Sequence, residues 1–387
     1  MRIKFLSVLI FLFVISKFSF GQNQLPGTSA QAPSAGYGPQ GGSGSGAMQA
    51  SNVLNPNISA IGWFQAEAGH RHPGPGDANE RDDAFQMKEA ELAFQSIVDP
   101  WTRADFFVSV TPDNVDLEEG YLTFFRLPAA LGLKIGKFKT NFGRFNRIHT
   151  PETPFADRPL AQQNYFGEEG LNGPGGSLSW LIPNPWLYMN LDAEVIAAPA
   201  GSDNPSFSRA NSKDVLYVGR LSGYYDLTEA WNVAVGGNCS YGPAGENFDP
   251  VGNSSSTLHT RLYGIDVTFR WKNIRRAIYR SFLWSTEILW SNHDATSSPV
   301  DSHGMFSYID YQFAQRWHAG VRCDYSQFPT DGSKHEEGGL AYLTFFPSEF
   351  SQFSLQGRHV QRDDGASENL GFLKSTFNIG PHGAHPF

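Results

Sequence analysis

The chain has 387 residues, 40% of them hydrophobic, 14% aromatic and only 17% charged, with 31 Phe and 40 Gly. Aromatic and glycine-rich composition with few charges suits a protein built from many strands. A formal net charge of −9 argues against a nucleic-acid partner, which needs a basic face to release counterions from phosphates.

The first segment, 1–21, reads as a secretory signal. Arg2 and Lys4 precede the apolar run Phe5 to Ile15, and Ser19-Phe20-Gly21 supplies small residues before Gln22. Lys17 interrupts the apolar run, which is too short for an anchor helix. No Cys follows to suggest lipoprotein processing. After residue 21 no stretch approaches the roughly eighteen apolar residues of a membrane helix, so the mature chain is expected to be either soluble or a barrel. Residues 22–57, rich in Gly, Ser, Gln and Pro, read as a flexible periplasmic leader that buries too little surface to fold alone.

From Ile58 to the end the chain alternates with period two. In Leu262 to Trp271 the odd positions Tyr263, Ile265, Val267, Phe269 and Trp271 oppose Leu262, Gly264, Asp266, Thr268 and Arg270. Phe282, Trp284, Ile288 and Trp290 oppose Ser281, Ser285, Glu287 and Ser291, while Trp317, Ala319, Val321, Cys323 and Tyr325 oppose His318, Gly320, Arg322, Asp324 and Ser326. The apolar faces often end in Trp or Tyr, as a lipid-facing band with aromatic girdles does, and the opposite faces carry charges that a dry core rejects.

Connections alternate in length too. Short turns are read near Asp99-Pro100, Leu127 to Ala130, Pro183 to Pro185, Asp226 to Glu229, Ala314 to Arg316 and Pro347 to Glu349, with Lys272 to Ala277 somewhat longer. Longer segments are read at Gly69 to Asp83, Thr140 to Gly175, Pro199 to Lys213, Gly242 to His259, His293 to Ser302, Pro329 to Glu336 and Gln361 to Glu368, with a short exception at Pro112 to Asn114. The expectation is an all-β fold: a transmembrane antiparallel barrel of about sixteen strands over 58–387, in the outer membrane, with both chain ends on the periplasmic side. The long third loop at about 140–175 is expected to fold inward.

The stretch Gly136-Lys137-Phe138-Lys139 with Phe142-Gly143 resembles the Gly-x-Phe-Lys-x-x-Phe-Gly segment of the phosphate-selective porin O/P family. That resemblance implies a third loop that constricts the pore. Phe155-Ala156-Asp157-Arg158-Pro159-Leu160, Phe166-Gly167-Glu168-Glu169-Gly170-Leu171-Asn172-Gly173 and the tail from His382 to Phe387 resemble a group labelled zinc-regulated TonB-dependent outer-membrane receptors. This second resemblance covers most of the chain after Gln86. Such receptors carry a plug of more than a hundred residues, whereas only the leader precedes the first expected strand, so the label reads as kinship rather than mechanism.

The function expected is a porin-like channel for passive diffusion of small hydrophilic solutes or ions. One alternative is a substrate-specific receptor or transporter linked to zinc uptake, and another a non-conducting adhesion or structural barrel. Candidate constriction and lumen residues are Lys137, Lys139, Arg144, Arg147, Arg158, Glu168, Glu169, Arg220, Arg270, Glu287, Asp310, Arg322, Arg358 and Lys374. In the loop, Arg144, Arg147, His149 and Arg158 stand near Glu152, Asp157, Glu168 and Glu169, and Phe142, Phe145, Phe155, Tyr165 and Phe166 can anchor it to a wall. Phosphate selectivity would want a ladder of Arg and Lys, and the wall looks mixed and slightly acidic instead.

No enzyme is expected, since no Gly-x-Ser-x-Gly elbow or His-Glu-x-x-His helix occurs. No cofactor is implied. His70-Arg71-His72 and the pair His382 and His385 lack a convergent third ligand, so no metal site is expected there. Cys239 and Cys323 face outward on separate strands and should stay unpaired. Expected partners are outer-membrane lipids and the barrel-assembly machinery, to which Phe387 offers a terminal aromatic. Sixteen-strand porins also imply a possible homotrimer by resemblance. Pro386 breaks the last-strand alternation, for which Leu373 to Ile379 is the better candidate.

Overall fold

The structure, a computed structural model, describes residues 56–74, 84–201, 204–249, 254–273, 279–295 and 298–380. The signal at 1–21, nearly all of the leader, His382, His385 and Phe387 lie outside the described residues.

Sixteen strands form one closed barrel: β1 (Asn57–His72), β2 (Phe85–Asp99), β3 (Thr102–Val110), β4 (Val115–Phe124), β5 (Leu131–Lys139), β6 (Asn172–Leu181), β7 (Tyr188–Ala197) and β8 (Val215–Asp226) lead on to the second half. That half is β9 (Trp231–Asp249), β10 (Ser254–Lys272), β11 (Ser281–His293), β12 (Val300–Ala314), β13 (Trp317–Phe328), β14 (Asp331–Ser348), β15 (Ser351–Arg362) and β16 (Ser367–Ile379). Every strand is antiparallel to its neighbours in sequence, and β1 pairs with β16 from Ala60↔Ile379 to His72↔Ser367. Closure leaves no sheet edge, as hydrocarbon requires, because an unpaired backbone group there costs several kcal/mol.

The period-two reading of faces holds. Val321 and Phe377 are exposed, and Phe269 stacks on Trp284 across β10 and β11 at 5.4 Å on that same outer side. On the inner side Glu287, Arg322 and Lys374 are buried. Leu355, 63% exposed, and Ile265, Leu191, Val195 and Leu373 continue an apolar exterior, a surface far too large to face water and suited to lipid. Cys239 and Cys323 are exposed and free.

Several expected loops turn out to be strand. The long segment expected at Gly242 to His259 is mostly hairpin, with Ser254 opposite Asp249 and Thr257 opposite Glu246. The one expected at Pro329 to Glu336 shrinks to the two residues between β13 and β14. Glycine, proline and serine there mark punctuation only weakly, because ladder hydrogen bonds to a neighbour already in place carry the pairing past the apolar band.

In the β3–β4 pair Phe107 faces Glu119 but Val108 faces Leu117, so Glu118 is an extra residue in β4, and both Glu118 and Glu119 are buried.

Replacing the outward Val267 by Arg should cost about 2–4 kcal/mol, against a much smaller change for Arg at the inward Ser222. Urea titration of folding into lipid vesicles measures both, and equal costs at the two positions would contradict the assigned faces.

Candidate functional site

The segment between β5 and β6 packs inside the barrel. It contains two short 3-10 turns, Phe145–Arg147 and Thr150–Glu152, and one helix, α1 (Leu160–Phe166). Pro151 opens the second turn and Pro159 precedes α1, where a fixed backbone angle and a missing N–H suit a helical start. Gly167, at φ 78°, ends α1 with its N–H on the Gln163 carbonyl at 2.8 Å.

Apolar packing holds this loop inside. Phe142, Phe145, Phe155, Tyr165 and Phe166 are each 0–2% exposed. They meet an apolar patch on the inner wall from β8 to β14 that includes Leu216, Leu262, Leu289, Phe306, Tyr308, Leu340 and Tyr342. Phe145 packs edge-on to Phe306 at 5.4 Å, and Phe155 edge-on to Tyr308 at 5.1 Å. Glycine admits the loop in two places. A Cβ at Gly264 would meet the Phe142 ring at 3.1 Å, and one at Gly304 would meet Tyr165 at 3.0 Å. Each large side chain so buried contributes about 1.5–3 kcal/mol.

Polar clamps fix the register of docking. Glu287 Oε1 accepts the backbone N–H groups of Arg144 and Phe145, both at 2.7 Å, and its Oε2 accepts Gln162 Nε2 at 2.8 Å. Gln356 accepts the Ala156 N–H and donates to the Pro154 carbonyl, each at 2.9 Å. Lys374 Nζ donates to the carbonyls of Thr153 at 2.7 Å and Phe155 at 2.9 Å. Asp157 is gripped by Arg322 and Arg358, both at 2.9 Å. Burial alone would raise its carboxyl, but the two guanidinium groups outweigh burial and hold it below the usual carboxylate range. At the neck, Asn146 donates to the carbonyls of Thr140 and Leu171 and accepts the Leu171 N–H at 2.8 Å.

The expected site residues therefore divide by environment. Glu287, Arg322, Arg358 and Lys374 clamp the loop, and Arg358 also pairs with Glu368. Arg220 makes a two-pronged pair with Asp266 at 2.6 and 2.8 Å. Arg158 is buried beside the Phe145 ring at 5.7 Å, and its guanidinium nitrogens have no hydrogen-bond partner among the described residues. Burial brings its pKa down to about 10, against the attraction of Glu169, Glu118 and Glu287.

Others border open space. Arg144 and Arg147 line a cavity of about 270 Å³ together with Lys134 and Lys139, facing Glu119, Tyr121 and Glu152. Glu168, Glu169 and Lys137 border a larger cavity of about 750 Å³ toward the long-loop side. Lys137 opposes Gly120 in the ladder, one residue out of step with the inward Phe138, and reaches this cavity by bending its ammonium to the Leu117 carbonyl and Asp116. Arg270 and Asp310 line a third cavity of about 250 Å³ toward the short turns, where Asp310 is bonded by His318 at 2.8 Å and Tyr342 at 2.7 Å.

One group among the described residues escaped the pattern reading. His149 Nδ1 lies 2.6 Å from Glu118 Oε2 and 2.9 Å from Glu91 Oε2, and its Nε2 lies 2.7 Å from Glu119 Oε1. Burial opposes protonation of this imidazole, and the carboxylates, Glu91 foremost, outweigh it and raise its pKa well above the ordinary value. The available signals were the doublet Glu118-Glu119 and the alternating Glu89 and Glu91, which strict alternation does not bring together.

No known family profile matches the chain. An uncharacterized protein of Aquifex aeolicus (strain VF5) is 28% identical over 360 residues, covering 84% of this chain and 74% of that protein. Among solved structures, OprB of Pseudomonas putida superposes with a TM-score of 0.57 at 10% identity, over 85% of this chain and 96% of that one. The outer membrane channel DcaP of Acinetobacter baumannii superposes with a TM-score of 0.52 at 10% identity, over 84% and 98% of the two chains. These comparisons do not confirm the phosphate-selective porin O/P or TonB-dependent receptor resemblances; the fold they share is that of outer-membrane porins.

Asp157→Asn should loosen the loop by about 3 kcal/mol, since it leaves two buried guanidinium groups short of a carboxylate. Faster limited proteolysis within 140–171, with the barrel intact by gel mobility, is the expected result; an unchanged rate would mean apolar packing alone holds the loop. By fold, the chain is a sixteen-stranded barrel of the outer-membrane porin type.

Proposed function

We propose that the chain is an outer-membrane channel for passive diffusion of small hydrophilic solutes or ions, and that the segment after β5 is its constriction. The observation that carries this reading is the cavity bounded by Arg144 and Arg147 on the loop and by Glu119, Tyr121 and Lys134 on β4 and β5. The aromatics of the loop dock on the apolar patch from β8 to β14, and this cavity remains between the loop and the charged residues of β4 and β5. A solute crossing there passes four cationic side chains, Lys134, Lys139, Arg144 and Arg147, with Glu119 and Glu152 among them. Fixed charges of both signs in a narrow path act on small ions at close range, with little water to screen them. The wall is mixed in sign, which supports a general path for ions and small polar solutes rather than a phosphate ladder.

Planar-bilayer recording tests the reading. The purified chain should conduct, and Arg144→Gln with Arg147→Gln should move the reversal potential toward cation preference, because fixed positive charge in the path repels cations. Arg158 is better left intact, since its side chain is packed rather than open. Absence of conductance would replace the channel with a non-conducting barrel. An unchanged reversal potential in the folded double variant would place the constriction elsewhere.

A further inference from the structure

We propose that Glu91, Glu118 and His149 form a binding site for one divalent first-row transition-metal cation, which ties the internal loop to β2 and β4. This inference stands on side-chain geometry and does not depend on whether the barrel conducts.

Three observations carry it. First, Glu91 Oε2, Glu118 Oε2 and His149 Nδ1 all lie within 4.8 Å of one another, and each residue is more than nine-tenths buried. Second, none of the three atoms has a hydrogen-bond partner of acceptable geometry among the described residues, although the contacts are only 2.6 and 2.9 Å long. Two carboxylate oxygens crowd one ring nitrogen. A single Nδ1 proton can be directed at only one of them, leaving the other buried acceptor unsatisfied, at a cost of about 1–3 kcal/mol or more for a charged group. A cation bonds to all three at once. Third, the far ring nitrogen, Nε2, is held by Glu119 Oε1 at 2.7 Å, and Glu119 is itself fixed by the Lys139 N–H at 2.9 Å. A carboxylate that accepts a hydrogen bond from Nε2–H fixes the tautomer in which the Nδ1 lone pair is directed at the other two carboxylates, the arrangement by which proteins orient a metal-binding histidine.

Charge decides the sign of the ligand. Glu89, Glu152 and Glu169 surround the three, and Lys139, at 3.6 Å from Glu118, is the ammonium in contact. Anions are repelled from such a group and cations attracted. The donor set narrows the class further: one imidazole with carboxylates suits Mn²⁺, Co²⁺, Ni²⁺ or Zn²⁺, whereas oxygen-only shells suit Ca²⁺ and Mg²⁺. Octahedral ligands about 2.1 Å from an ion stand about 3 Å apart, so the two carboxylate contacts to Nδ1, at 2.6 and 2.9 Å, need to open by only a few tenths of an ångström. Access exists from both directions, since Glu118 borders the outer cavity and Glu119 the inner one. The β4 bulge is what makes the site possible, because it turns Glu118 inward next to Glu119.

The rival is an imidazolium that simply neutralises its carboxylates, and the experiment separates the two. The full chain in detergent micelles, stripped with chelator, is titrated with Co²⁺ and Mn²⁺, using calorimetry for stoichiometry and the visible Co²⁺ absorption for coordination. The proposal expects saturable binding of one ion and a Co²⁺ spectrum that reports nitrogen ligation. Glu91→Gln and His149→Ala should each weaken binding at least tenfold, and Glu119→Gln should weaken it less. Should His149→Ala disturb folding, Glu118→Gln tests the same site without removing the ring, and heat-modifiable gel mobility verifies the barrel. No saturable binding to the wild-type chain would overturn the proposal in favour of the imidazolium. Binding that persists unchanged in the folded Glu91→Gln, Glu118→Gln double variant would overturn it too, by placing the ion at surface histidines such as His70 and His72.

Discussion

Aromatic side chains from one loop, packed on an apolar patch that faces the inside of the barrel, organise everything else in the lumen. A sixteen-strand ring leaves a space that its own wall residues do not fill. Here the internal loop fills much of it. Phe142, Phe145, Phe155, Tyr165 and Phe166 take up the side from β8 to β14, while toward β2 and β4 His149 docks among Glu91, Glu118 and Glu119 and a cavity remains beside Tyr121 and Lys134. The seat of these aromatics follows from where inward leucine and phenylalanine occur on the strands.

Hydrophobic contact is non-directional, and alone it would let the loop slide along its patch. The hydrogen-bonded charges supply direction. Glu287 and Lys374 bind backbone groups of the loop rather than its side chains, and Arg322 lies over the Phe155 ring at 4.5 Å while gripping Asp157. These charges are buried and satisfied by specific partners, the condition under which a charge in a poorly hydrated place stabilises one arrangement over its neighbours. The same residue types that usually keep water in a pore are here committed to holding protein.

Much of the architecture was legible in alternation. Strand number, both faces of β10, β11 and β13, and the position of the long internal loop all follow from a period of two interrupted by turn residues. Strand ends were less legible: the β9–β10 hairpin runs on through a Gly, Pro and Ser-rich stretch because pairing, not propensity, sets its length. The inward patch was visible residue by residue yet not as a patch, since Leu262, Leu289 and Phe306 look like lapses in a polar face until the ring is closed. Glu118 and His149 were out of reach for a different reason. A bulge resets the parity of β4, and the partners of His149 come from two strands far away in the chain, so no local spacing announces them.

The contacts that seat the loop join residues far apart along the chain: Glu287 lies 143 positions from Arg144, Gln356 lies 200 from Ala156, and Lys374 lies 221 from Thr153. Contacts this distant form late, after nearer strands have already paired. The final clamp sits on β16, the strand that also closes the ring against β1. The last of these clamps is supplied only when β16 arrives, so the strand that seals the seam is also the one that completes the fastening of the loop.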